Sequence, residues 1–327
     1  MQKHMNRRTF TQSLAVGLGG LSLPVWAQGR RNLRIGHTGI TWPWGEIRSA
    51  TPARGRGGDA SLAPAPPAAR QIDPQAVEMV FRDVAQTGFH GLEVFAWQVD
   101  AMEAHGGIGA LIEKYNLPLI GVYGGPNLTS PDQRQASLER TIANARLVKK
   151  YGGKVVVFGP NGVNRNTFVF NDHRANIIAA LNDGAKAVVD LGLTPVLHPH
   201  TGTCIETRDE TYAVMENVDS RYLKFGPDIG QLAKGGADPV QVVKDFLPLV
   251  HHVHLKDFDG GPAYLGYTPI GRGKVNLGAV LDMCEGRQMD GLVMVELDSS
   301  DTMPIAPRET AQIARTWLQG RGHPFRG

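Results

Sequence analysis

The feature that most narrows the fold of this chain is an alternation. Short runs of apolar and β-branched residues recur, and each is followed by a stretch whose apolar residues fall at helical spacing. Runs at residues 33–37, 91–95, 119–123, 155–158, 194–198, 222–226, 251–255 and 291–296 read as strands. Helical stretches follow them, the first opening at Asp73 or Pro74 and the others near 101–115, 131–151, 172–191, 208–218, 239–246, 277–285 and 306–318. Strict strand–helix alternation argues for a parallel sheet in the α/β class. Eight such units argue for closure into a single (β/α)8 TIM barrel. An open doubly wound sheet is the competing architecture, but no Gly-x-Gly-x-x-Gly follows the first strand and there is no P-loop.

In a barrel of this kind the working residues sit at the C-terminal ends of the strands. The seventh strand is the most telling. In Val250-His251-His252-Val253-His254-Leu255-Lys256-Asp257, alternate side chains share a face, so His252, His254 and Lys256 point one way. Two imidazoles and an ammonium are costly to bury without partners. They lie either on an edge facing water or in a site. Other strand ends add Glu93, His198 with His200, Asp228, and Glu296 with Asp298. Imidazole and carboxylate donors converging from separate strands suit one divalent ion, with manganese, cobalt, zinc and magnesium all chemically acceptable. His37 and His251 read as packing or surface histidines, and Asp298 as a helix cap. Trp42, Trp44 and Trp97 lie near strand ends, where they would either stack on a sugar ring or cover the barrel mouth. Arg272, in Gly271-Arg272-Gly273-Lys274, falls where barrels often bind phosphate; a solvent-exposed turn leading to an Asn276 N-cap is the favoured reading.

The ends and the composition bound the rest. Arg7-Arg8, an apolar run from Leu14 to Trp26 and a small-residue site at Ala27 have the order of an export signal, and the paired arginines resemble a twin-arginine leader. Residues 1–27 are therefore expected to be removed, leaving a barrel over 28–327 in the periplasm or outside the cell, with no stable membrane anchor. Residues 49–70, rich in Ala, Pro, Gly and Arg, read as a low-complexity loop inserted in the barrel. The formal charge of +3 points to no nucleic-acid partner. Two cysteines, Cys204 and Cys284, make no disulfide framework.

The stretches Phe225-Gly226-Pro227-Asp228-Ile229-Gly230-Gln231-Leu232, His252-Val253-His254-Leu255-Lys256-Asp257 and Val295-Glu296-Leu297 resemble the xylose isomerase-like TIM-barrel superfamily. Within it, His198-Pro199-His200-Thr201-Gly202-Thr203 with Glu206-Thr207 is most similar to sugar phosphate isomerase/epimerase and inosose dehydratase-like proteins. The resemblance implies four metal ligands from strands five to eight. Asp228, His254 and Glu296 match the last three. The first is usually a glutamate in the ketose epimerases, and His198 stands in its place. His198, Asp228, His254 and Glu296 are thus the expected metal ligands. Glu296 is also the expected base, with His200, Lys256 or Glu93 as partner acid. Trp42, Trp97 and Arg272 are candidate substrate contacts.

A metal-assisted isomerase or epimerase acting on a small carbohydrate by proton removal beside a carbonyl is the leading expectation. A lyase or dehydratase on an inosose or 3-keto-glycoside is the alternative. A non-catalytic periplasmic sugar-binding protein would keep the cleft but need neither metal nor base. An endonuclease would need a fuller set of ligands and a more basic surface.

Overall fold

The structure is a computed structural model that describes residues 31–43, 72–298 and 303–327. The expected leader at 1–27, the expected insertion at 49–70 and Trp44 lie outside the described residues.

Eight parallel strands form the inner layer: β1 (Ile35–Thr38), β2 (Leu92–Phe95), β3 (Leu119–Tyr123), β4 (Val155–Phe158), β5 (Thr194–Leu197), β6 (Lys224–Phe225), β7 (Val253–Leu255) and, after an antiparallel hairpin of β8 (Asp257–Phe258) and β9 (Tyr267–Thr268), β10 (Val293–Val295). The sheet order runs β6-β5-β4-β3-β2-β1-β10-β7. Parallel bridges Phe225–Val250 and Asp228–His254, with His251 N–H donating to the Phe225 carbonyl at 3.0 Å, join its two ends into a barrel. The helices are α1 (Pro74–Gln86), α2 (Ala96–Glu103), α3 (Gly109–Tyr115), α4 (Arg134–Lys150), α5 (Phe170–Asp190), α6 (Arg208–Met215), α7 (Ile229–Lys234), α8 (Pro239–Asp245), α9 (Leu277–Cys284) and α10 (Pro307–Gln319).

Capping decides several helix starts. Asp73 accepts from Gln75 N–H ahead of Pro74, and Thr207 with Glu210 forms a reciprocal capping box for α6. Strand residues such as Val155, Val156, Val157 and Phe158 are buried on both faces, as a parallel sheet under helices requires. Valine, leucine, isoleucine and phenylalanine fill the space between strands and helices.

Some elements depart from the expected pattern. The stretch expected as one helix at 101–115 is two, α2 and α3, separated by Gly106 and Gly107 in left-handed conformation. The short α7 and the β8–β9 hairpin stand outside the strand–helix alternation. Cys204 and Cys284 are free and buried. Among the described residues no helix is long and apolar enough to cross a membrane.

Candidate active site and metal centre

The site begins with a helix cap. Asp228 follows β6 and caps α7, its Oδ1 accepting from the N–H groups of Gly230 and Gln231 at 2.8 and 2.9 Å. That leaves Oδ2 facing the barrel interior, 2.9 Å from Lys256 Nζ. The same ammonium lies 2.5 Å from Glu296 Oε1 and donates to Asp298 Oδ1 at 3.1 Å. Asp298 is thus a partner of the lysine rather than a helix cap. Lys256 is fully buried. Its stem passes over Gly230, where a Cβ would come within 2.7 Å of Lys256 Cγ, so only glycine leaves room. Burial works against the ammonium, yet Asp228, Asp298 and Glu296 hold its pKa well above the usual lysine value.

His252 and His254 share the inward face of the seventh strand, as alternation requires. His254 places Nδ1 2.7 Å from Glu296 Oε2 and Nε2 2.9 Å from Glu93 Oε1, while His252 Nε2 lies 2.8 Å from Glu93 Oε2. Burial disfavours charge on His254, but Glu93 and Glu296 outweigh it and raise its pKa well above the usual value. Burial alone would raise the Glu93 carboxyl, and the imidazoles of His254 and His252 instead draw it down to about 2. Glu296 is likewise pulled well below the carboxylate range, against burial, by Lys256 and His254. His198 sits with Nε2 4.0 Å from Asp228 Oδ2 and its ring 4.5 Å from that of His254. Burial, reinforced by the charge on His254, holds His198 neutral.

These contacts are short but poorly aligned. Asp228 Oδ2, Glu93 Oε2, His198 Nδ1 and both ring nitrogens of His252 and His254 are buried without a hydrogen-bond partner. Orphaned buried polar atoms are rare in folded proteins and ask for a cause. A cation is one, because it satisfies lone pairs that converge on a point instead of on a donor. Ligand atoms of His198, Asp228 and His254 lie within 4.8 Å of one another, and so do those of Glu93, His252 and His254. The first set, with Glu296 beside His254, fits a divalent ion by its mixed imidazole and carboxylate chemistry.

A cleft of about 430 Å³, open to solvent, reaches these groups. Ile40, Val94, Phe95 and Tyr123 form the apolar part of its lining, and His198, His254 and Glu296 are among the polar part. Glu93 and His200 also line it. His200 is fully engaged. Gln231 Oε1 accepts from the Thr201 N–H and hydroxyl at 3.2 and 2.6 Å, so its amide nitrogen faces His200 Nε2 at 2.8 Å. Nδ1–H of His200 then donates to the Thr201 carbonyl at 2.7 Å, which fixes the neutral tautomer with Nε2 as acceptor.

Other expected contacts lie elsewhere. The chain leaves β1 through a 3-10 turn at Gly39–Thr41, which returns Trp42 to α1, where its indole N–H donates to Asp83 Oδ2 at 3.1 Å. Trp42 is buried in the core against the His37 ring and does not line the cleft. Trp97 is half-buried on the first turn of α2 and packs against the core. Arg272 is exposed, and the N–H groups of Gly271 and Gly273 donate to Asp257 Oδ2 at 3.0 and 2.9 Å. The chain's own carboxylate fills that turn, leaving those donors unavailable to a phosphate. Phe95 and Tyr123, the aromatic residues that do line the cleft, end β2 and β3. Their place at strand ends, which face the barrel mouth, is the sequence signal that marks both.

The family model for xylose isomerase-like TIM barrels matches residues 81–321. The chain belongs to that family. An inosose dehydratase from Clostridium botulinum is 23% identical over 271 residues, covering 74% of this chain and 88% of the relative. Among solved structures, the 3-keto-D-glucoside 4-epimerase of E. coli superposes with a TM-score of 0.61 at 16% identity, covering 88% of this chain and 99% of that one. The IolI protein, crystallised with a bound zinc atom, gives a TM-score of 0.62 at 15% identity over 75% and 92% of the two chains. These structures share the barrel. The curated relatives are enzymes, and this member of the family is one as well.

Proposed function

We propose that the protein is a metal-assisted lyase that removes the proton beside the carbonyl of an inosose or keto-sugar and expels an oxygen from the next carbon. One observation carries the reading. Glu296 presents a carboxylate to the cleft between Lys256 and His254, while His198 stands where the ketose epimerase pattern has its opposing carboxylate. With no carboxylate at the His198 position opposite it, Glu296 suits elimination better than proton exchange between two faces. The similarity to inosose dehydratases supports the same outcome on a cyclic polyol ketone.

When bound at His198, Asp228 and His254, a divalent ion supplies Lewis-acid polarisation of a substrate carbonyl. Glu296 takes the proton from the neighbouring carbon. Its depressed pKa makes it a weak base, so it needs a substrate whose C–H is acidified in this way. Lys256 touches Glu296 Oε1 and offsets the change in charge as that oxygen gains the proton. Its three N–H groups are committed to Glu296, Asp228 and Asp298, so the departing oxygen takes its proton from Glu296 once that carboxylate has accepted it from carbon. His200 is held within its own loop by Gln231 and the Thr201 carbonyl, a fixed polar group at the edge of the cleft. Ile40, Phe95 and Tyr123 give the cleft an apolar wall that shields the reacting carbons from water. The paired-arginine leader is read as placing this activity in the periplasm, which cell fractionation with and without Arg7 and Arg8 tests.

Incubation in heavy water with a panel of inososes, ketoses and 3-keto-glycosides tests the chemistry. The expected result is loss of water or aglycone with deuterium entering recovered substrate. Deuterated product of unchanged composition, with an inverted centre or a moved carbonyl, would replace the lyase reading with epimerase or isomerase. Absence of exchange with every metal-loaded preparation would overturn proton abstraction altogether.

A further inference from the structure

Glu93 comes from β2, and its partners come from the seventh strand. Two strands, β1 and β10, separate β2 from β7 in the sheet, so the contact crosses the barrel interior. Each carboxylate oxygen faces an imidazole: Oε1 lies 2.9 Å from His254 Nε2 and Oε2 lies 2.8 Å from His252 Nε2. The three residues are buried, with Glu93 2% exposed and His252 fully covered. His254 turns its other nitrogen, Nδ1, toward Glu296 at 2.7 Å. The imidazole therefore has one nitrogen on each side of a divide: Nδ1 toward the metal ligands, Nε2 toward Glu93.

We propose that Glu93 and His252 form a positioning pair for His254, fixing its ring so that Nδ1 is the nitrogen offered to the metal ion. The proposal rests on the metal-centre reading above. A ligating histidine normally gives its second N–H to a carboxylate or carbonyl, which sets tautomer and orientation. Glu93 is the carboxylate in that place, and His252 Nε2 stands 2.8 Å from its far oxygen, where it limits rotation of the carboxylate. This reassigns Glu93 from acid–base partner to support.

The pair itself depends on a residue at the foot of the next strand. A Cβ at Gly291 would stand 2.2 Å from His252 Nδ1 and 3.1 Å from the His251 carbonyl, so His252 occupies the volume a side chain there would need. Gly291 also donates its N–H to the His251 carbonyl at 2.9 Å, which pins the two strands at that level. The line of support runs from Gly291 through His252 and Glu93 to His254.

The test reads metal affinity, not turnover. Wild type, Glu93→Gln, His252→Gln and Gly291→Ala are loaded with zinc or cobalt, metal content is counted, and affinity is measured against a chromophoric chelator. Circular dichroism selects the variants that fold, and the isosteric Glu93→Gln keeps the packing. About one ion per chain is expected throughout, with affinity about 10- to 100-fold weaker in Glu93→Gln and weaker also in His252→Gln. The cobalt absorption band should keep the intensity of the same coordination number. In zinc-loaded wild type, proton–nitrogen correlation spectra should show the His254 ring proton on Nε2. Affinity within twofold of wild type in Glu93→Gln would overturn the proposal. So would two ions in wild type falling to one in Glu93→Gln, which would make Glu93 and His252 ligands of a second ion. If Asp228→Ala and His254→Ala keep the ion while the Glu93 variant behaves as wild type, the metal-centre reading falls too. Loss in Asp228→Ala and His254→Ala alone leaves that reading standing and removes only the positioning role.

Discussion

Lys256 and Glu296 meet with Nζ 2.5 Å from Oε1, one fully buried and the other nearly so, at the point where the seventh strand faces the end of β10. The ammonium is shared with Asp228 and Asp298, so one positive charge answers three carboxylates. Tyr267, from the hairpin, covers it with Nζ 4.7 Å from the ring centroid. Lys256→Met should leave those carboxylates buried and uncompensated. We expect a loss of about 3–5 kcal/mol, the usual cost of removing one partner of a buried pair. A divalent ion would replace part of the missing charge. Adding zinc or manganese should therefore raise the melting temperature of Lys256→Met by more than it raises that of wild type. Calorimetry with and without the ion checks both statements.

The ligand set makes a second expectation. Protein purified without chelator should carry about one divalent ion per chain, and Asp228→Ala and His254→Ala should each lose it. Elemental analysis of the purified variants decides the matter. Full occupancy in both would remove them from the ligand set.

How far the sequence carried this reading depends on the kind of residue. Strand–helix alternation is a property of side-chain period, so the eight-unit barrel was legible without structure. Asp228, His254, Lys256 and Glu296 were legible because a polar residue on an inward strand face has few explanations. Trp42 was not, since an aromatic residue just past a strand packs equally well at the mouth or against the wall, and the turn at Gly39–Thr41 decides which. The bonding of His200 was not legible either. It depends on Gln231 in α7, a six-residue helix whose sequence mark is its Asp228 cap, a residue whose position equally suits a metal ligand. The partnership of Glu93 with two histidines of a non-adjacent strand comes from barrel closure, which no local pattern records.

Acid should destabilise the metal-free protein in two stages. Burial lowers the His37 pKa to about 4 from an ordinary 6.5, so between those values the unfolded chain binds a proton that the folded chain refuses. Stability from His37 is fully present above about 6.5 and is lost as pH falls toward 4, up to about 3 kcal/mol in all. Glu93 acts lower. Its pKa of about 2 against 4.5 gives stability that is present above 4.5 and lost as pH falls toward 2. His37→Phe should shrink the first stage, to which the buried His198 and His323 also contribute, and leave the second. Chemical denaturation at a series of pH values, with chelator present, reads both windows.

The last prediction concerns Glu296. Its carboxylate lines the cleft, touches Lys256 through Oε1 and lies against His254 through Oε2. Glu296→Gln preserves the shape and retains one carbonyl oxygen, so binding of metal and substrate should weaken less than the chemical step. The proton-transfer role predicts a fall in kcat of about 100- to 10,000-fold, with KM changed far less. Loss of proton abstraction should also remove deuterium exchange into recovered substrate. A variant in which glutamine merely upset the Lys256 cluster would show a lowered melting temperature and a raised KM but would still exchange deuterium. Equal turnover by wild type and Glu296→Gln on a true substrate would rule this carboxylate out as the base.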